Sequence, residues 1–179
     1  MGNHESHDGQ IPEEIIRLSH NFPLGDPISP DNNLALRLRV RRMLPPRSDA
    51  SYLWEQVRQN ALWQYVFIYL VYLVDQPVFR CRYNPHPDET FMTNLLHHVY
   101  DSALEELCPR RLALLLMILA VGCLVDLNQP PDCPEAEKYH LLARASLCEI
   151  PVMEDTNIDA ISALVRTIVT SPRTSAVDI

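Results

Sequence analysis

The sequence predicts an all-α fold, with antiparallel helical pairs around an apolar central helix, and three observations carry that expectation. Apolar residues recur three and four positions apart through most of the chain, the spacing of one helical face. Only four glycines are present, while fifteen prolines mark the joints between periodic runs. Leu112 to Val125 is apolar nearly all round, as suits a helix covered on every side.

At 179 residues, 47% hydrophobic and 21% charged, the chain has a globular balance and enough length for one domain with a core. Residues 1–33 read as a flexible lead-in, because Pro23, Pro27 and Pro30 oppose regular structure. The next segment, "LALRLRVRRML" over 34–44, supports two readings. Its alternation of apolar residue and arginine suits a strand, yet Leu36, Val40, Met43 and Leu44 also share a helical face. Pro45 and Pro46 end it in either case. A helix follows, with Ser48 or Asp49 as N-cap and Leu53, Trp54, Val57 and Ala61 facing inward.

"YVFIYLVYLVDQPVFRCR", residues 65–82, departs from this pattern. Val66 to Val74 are nine apolar or aromatic residues without a charge. Even counted from Ala61 the run is shorter than the roughly 20 residues that span a bilayer, and Gln64 interrupts it. As a strand it lacks a partner, and as a helix it is crowded with β-branched residues.

Asp88 is the expected N-cap of a helix whose stripe is Phe91, Leu95, Val99 and Ala103, widened by Met92, Leu96 and Leu107. Pro109 suits the first turn of the apolar central helix, which is also too short to cross a membrane. "NQPPDCP" breaks that helix, and Pro134 begins another that buries Tyr139, Leu142, Ala143 and Leu147. After Pro151, Asp155 or Thr156 caps a last helix with Ile158, Ile161, Leu164, Val165 and Ile168 inward. The total is about six helices and no convincing strand. Residues 171–179 read as a disordered tail.

A net charge of −8 and a pI near 5.3 argue against a domain that grips phosphate backbones by itself. The arginines at 37, 39, 41 and 42 therefore read as a solvated face rather than a nucleic-acid contact. Five cysteines (Cys81, Cys108, Cys123, Cys133 and Cys148) include no C-x-x-C pair, which excludes a zinc cluster and a thioredoxin-like site. Cys123 and Cys148 read as buried thiols, and the compartment as intracellular and reducing. The polar, acidic opening has no apolar signal region. Gly2 alone suits myristoylation, with His7 and the neighbouring acids against it.

No catalytic constellation is present, and no residue is assigned a catalytic, cofactor-binding or metal-binding role. His97 and His98 are adjacent and point about 100° apart on a helix, so they cannot share one metal. His4 and His7 lie in the opening tail, Glu137 and His140 form at most a local pair, and Glu105 and Glu106 read as solvated. There is no nucleophile elbow, phosphate-binding glycine loop or H-E-x-x-H.

The order of several segments resembles a known family. "LSHNFPLGDP", "RRMLPPRSDASYLWEQVRQNALWQY" and "YNPHPDETFMTNLL" are similar to the start of the fungal-specific transcription factor domain. "RRLALLLMILAVGCLVDL", "AEKYHLLARASL" and "TNIDAISAL" continue the pattern. This domain is the middle homology, or xylanolytic-activator-type regulatory, region of fungal binuclear zinc cluster transcription factors. The resemblance covers about 18–164 with one interruption, and makes 34–170 a partial regulatory domain. It implies a nuclear regulator of transcription acting through protein partners, either transcription machinery or members of the same family, or through an effector. The family reads DNA and binds zinc through a six-cysteine cluster that this sequence lacks, so no cofactor is expected in this chain.

Two expectations follow from the resemblance. The family's domain normally runs well past the equivalent of Ile179, so the chain reads as the N-terminal portion of a larger helical domain. The apolar faces of the 112–127 and 156–169 helices are then expected to lack partners, giving poor solubility or a molten state. The second expectation is that 65–82 is a non-native insertion. Deleting Tyr65 to Arg82 joins "NALWQ" to "YNPHPDETF" and restores the family's junction. The block is 18 codons, hence 54 nucleotides, the size of a small fungal intron, and its end codons permit donor and acceptor sites. The segment after Ala163 reads the same way. The competing reading of the whole chain is a stand-alone helical scaffold that binds peptides in its inter-helix grooves.

Overall fold

Proline and short polar joints divide the chain into helices whose buried faces follow the apolar periodicity. The computed structural model describes residues 11–22, 30–61, 89–130 and 133–150. All regular structure among them is helical: α1 (Glu13–Asn21), α2 (Pro30–Arg42), α3 (Arg47–Asn60), α4 (Glu89–Asp101), α5 (Pro109–Val125) and α6 (Pro134–Leu147). The fold class is all-α, as expected. The 65–82 segment, the helix expected after Pro151, the 171–179 tail and the Asp88 cap lie outside the described residues.

The flexible lead-in over 1–33 is corrected by α1. Pro12 precedes the helix, where a missing N–H costs nothing, and Glu13 and Glu14 in the first turn favour the positive end of the helix dipole. Ile15 is fully buried, and Ile11, Leu18 and Phe22 pack partly buried beside it. These four residues are four, three and four positions apart, one helical face. The prolines follow α1 and do not interrupt it.

Over 34–44 the helical reading holds. Leu36 and Val40, four apart, are buried, whereas Leu38, which a strand would place with them, is exposed. Pro46 then precedes α3, which starts at Arg47, so neither Ser48 nor Asp49 is its N-cap. Ala50, Leu53 and Val57 line the inner face of α3, and Trp54 meets the Phe91 ring of α4 at 6.5 Å between centroids. α4 stops at Asp101, earlier than expected, leaving Ala103 exposed while Leu107 is fully buried in the connection. The Arg41 guanidinium donates to the carbonyls of Tyr100 and Ser102, satisfying groups that a helix end leaves open. Tyr100 in turn donates its hydroxyl to Pro45 O at 2.7 Å.

α5 is the central element. Leu112 to Val121 are all at 2% exposure or less, so the expectation of an uncovered face over 112–127 is corrected along most of this helix, while Leu124 and Leu127 at its end are exposed. α6 packs on it most extensively, followed by α3 and α4, while α1 packs on α6. No described helix is long and apolar enough to cross a membrane. Gly122 sets how closely α3 approaches: a Cβ there would lie 2.7 Å from Leu53 O and 2.8 Å from Leu53 Cβ. Cys108 and Cys133 occupy the N-cap positions of α5 and α6, each followed by proline.

Candidate functional site

The joint that follows α5 brings together residues far apart in sequence. Asp126 ends the helix and is buried, and its carboxylate accepts the Tyr52 hydroxyl from α3 and the Asn128 backbone N–H at 2.9 Å. Asn128 Nδ2 donates back to the Tyr52 oxygen at 3.1 Å, and Asn60 Nδ2 donates to Val125 O at 3.0 Å. These bonds fix the carboxyl end of α5 to one side of α3.

Beside this latch lies a cleft of about 380 Å³ between α3, α5 and the start of α6. Asp49, Tyr52 and Leu53 line it from α3, Cys123 and Asp126 from the end of α5, and Cys133, Glu135 and Tyr139 from α6. Pro45 and Gln129 close its edges. Among the described residues that line it, three are carboxylates and none is a lysine, arginine or histidine. The positive end of the α6 dipole is offset by Glu135 and Glu137 in its first turn.

Inside, the Cys133 thiol donates to Glu135 Oε2 at 3.3 Å. Burial pushes the Cys123 thiol up to about 12, with the neighbouring Cys133 and acidic groups adding to the effect. Such a thiol is protonated at neutral pH and a poor nucleophile. Burial raises Tyr139 as well. The described lining is thus acidic, and Cys123 within it is not an activated nucleophile.

The residues weighed from the sequence take other places. His97 is exposed, with Nε2 3.9 Å from Asp101. His98 points elsewhere, its Nε2 accepting the Cys108 backbone N–H at 3.0 Å, which orders the start of α5. His140 is buried, its pKa held below the ordinary value by burial and then by Arg144. Its Nε2 has no hydrogen-bond partner among the described residues, so no pair forms with Glu137 through that atom. Glu105 and Glu106 are exposed, and His4 and His7 lie outside the described residues. Among the described residues no group of three His, Cys, Asp or Glu side chains is placed to hold a metal ion.

Arg37 and Arg41 of α2 are part-buried and structural, whereas Arg39 and Arg42 are exposed, as a solvated face would have them. Arg37 pairs with Glu149, Arg39 with Glu14, and Arg41 with the end of α4. The cleft escaped sequence reading because its walls come from three separated segments. Its one local signal is "DLNQPPDCPE", where Asp126, Cys133 and Glu135 flank a proline-broken joint. No family model, no curated protein and no solved structure matches the chain.

Proposed function

We propose that the chain serves in the regulation of transcription, as part of the helical regulatory domain of a fungal zinc cluster transcription factor. In this reading it works in the nucleus through contacts with transcription machinery, family members or an effector, and DNA is read only by a zinc cluster that this sequence does not contain. The observation that carries the reading is how the resembling segments pack. "RRLALLLMILAVGCLVDL" supplies α5 and "AEKYHLLARASL" supplies most of α6, the most extensive helix–helix contact described. "RRMLPPRSDASYLWEQVRQNALWQY" supplies the turn and helix that lie against α5 at Gly122. Segments that follow the family's order are thus the ones that interlock, and a cleft opens where they meet. No catalytic step is assigned in this reading.

Fusing the full chain to an unrelated DNA-binding domain tests the proposal. Reporter output is expected to move at least threefold from that of the DNA-binding domain alone. Unchanged output from a stably accumulated nuclear fusion counts against it.

A further inference from the structure

We propose that Cys123 and Cys133 form a peroxide-sensitive dithiol–disulfide switch that fastens the end of α5 to the start of α6. The inference goes beyond transcriptional regulation and does not depend on it, because it rests on this cysteine pair alone.

The fold brings the two thiols together. Cys123 lies in the last turn of α5, and Cys133 is the N-cap of α6. Past Cys123 the chain turns at Asp126, whose carbonyl accepts the Gln129 N–H at 3.1 Å and whose carboxylate accepts the Asn128 N–H. α6 then packs on α5 more extensively than any other described helix does. Both cysteines are free thiols, both are buried, and both line the cleft. Their side chains stand within hydrogen-bonding reach of each other. The other described cysteines are held elsewhere. Cys108 precedes α5, about 22 Å of helix from Cys123. The Cys148 thiol donates to Leu18 O at 3.3 Å.

The pair also divides the chemistry. Burial keeps Cys123 protonated and a poor attacking group, so Cys133 is the sulfur that reacts first. The Cys133 thiol donates to Glu135 Oε2 at 3.3 Å, a carboxylate in place to take its proton. The cleft, about 380 Å³, admits a peroxide to both sulfurs. The Cys133 sulfur attacks one peroxide oxygen. An S–O bond forms, the O–O bond breaks, and the departing oxygen leaves as water with the Cys133 proton. The Cys123 sulfur then attacks the sulfur of this sulfenic acid. The S–S bond forms, the S–O bond breaks, and the hydroxyl leaves as a second water with the Cys123 proton. Two thiols are oxidised and one peroxide is reduced. A dithiol reductant reverses the change by exchange and is itself oxidised.

The test treats the folded full chain with hydrogen peroxide, alkylates the remaining thiols and cleaves after lysine and arginine and before aspartate. Cuts after Arg111 and Lys138 and before Asp126 and Asp132 leave Cys108, Cys123, Cys133 and Cys148 on separate peptides unless a disulfide joins them. The Cys123–Cys133 peptide pair is expected at least fivefold above any other pair, and dithiothreitol should remove it. In Cys123→Ala, Cys133 should stop at the sulfenic acid and take up dimedone at least threefold more than in the parent. The thermal midpoint of the oxidised parent should lie at least about 4 °C above that of the reduced chain, with no such rise in the variant. Thiols that stay free for alkylation would overturn the proposal, as would joined peptides spread evenly over all cysteine pairs. Dimedone label on Cys108 in place of Cys133 would overturn it too, and a midpoint unmoved by the disulfide would contradict the fastening of α5 to α6.

Discussion

Arg37 of α2 and Glu149, just past the end of α6, are 112 positions apart in sequence and form a partly buried ion pair. Arg37 Nε donates to Glu149 Oε1 at 2.7 Å, and its Nη2 donates to the same oxygen. The Glu149 side chain is 1% exposed. Burial raises its pKa and the Arg37 guanidinium opposes that rise.

Removing one partner of this pair is expected to cost far more than removing both. Arg37→Met leaves a buried carboxylate uncompensated and should destabilise by about 3–5 kcal/mol. Arg37→Met combined with Glu149→Leu should recover most of that loss. Thermal or urea unfolding of the two variants checks the difference.

The Gly122 contact predicts intolerance of a single methyl group. In Gly122→Ala the new Cβ meets Leu53 backbone at 2.7 Å, and a backbone atom cannot swing aside as a flexible side chain does. Moving α3 away from α5 should cost about 1–3 kcal/mol, read as a lower urea midpoint.

Burial within α5 and exposure just past its end predict very different costs at two leucines. Leu116 is fully buried and Leu127 is 87% exposed. Leu116→Ala should destabilise by about 2–5 kcal/mol, and Leu127→Ala by less than about 0.5. Equal effects would mean that α5 is not covered as described.

His140 makes stability depend on pH. Its folded pKa lies below 6.5, whereas in the unfolded chain it titrates near that value. As pH falls through about 6.5 the unfolded chain therefore takes up a proton that the folded chain refuses, and stability drops. Glu149 acts in the opposite sense: its raised folded pKa favours proton uptake by the folded state as pH falls toward 4.5. Comparing His140→Gln with the parent isolates the histidine. The loss of thermal midpoint between pH 7.5 and 5.5 should be smaller in the variant.

Much of the helical framework was legible because burial writes its period into the sequence, as at Leu53 and Val57 or Leu95 and Val99. What escaped did so for physical reasons. Around α1 the later prolines suggested disorder, while Ile11, Ile15, Leu18 and Phe22 already carried the helical period. At 34–44 a pattern of apolar residues and arginines fits two periods, and only the burial of Leu36 and Val40 without Leu38 separates them. Arg37, Arg39 and Arg41 find partners far along the chain or on another helix, which no local pattern reveals. The cleft is hidden for the same reason, since Asp49, Cys123 and Tyr139 become neighbours only when three helices pack.

The functional proposal meets its most direct test when the fold and the output are measured together. The DNA-tethered full chain is compared with the same fusion carrying Leu116→Asp, which places a charge in the covered face of α5. At matched nuclear protein levels the parent fusion should change reporter output at least threefold, and the Leu116→Asp fusion should match the bare DNA-binding domain. Identical output from the parent, the variant and the bare domain would contradict a regulatory role for this helical unit.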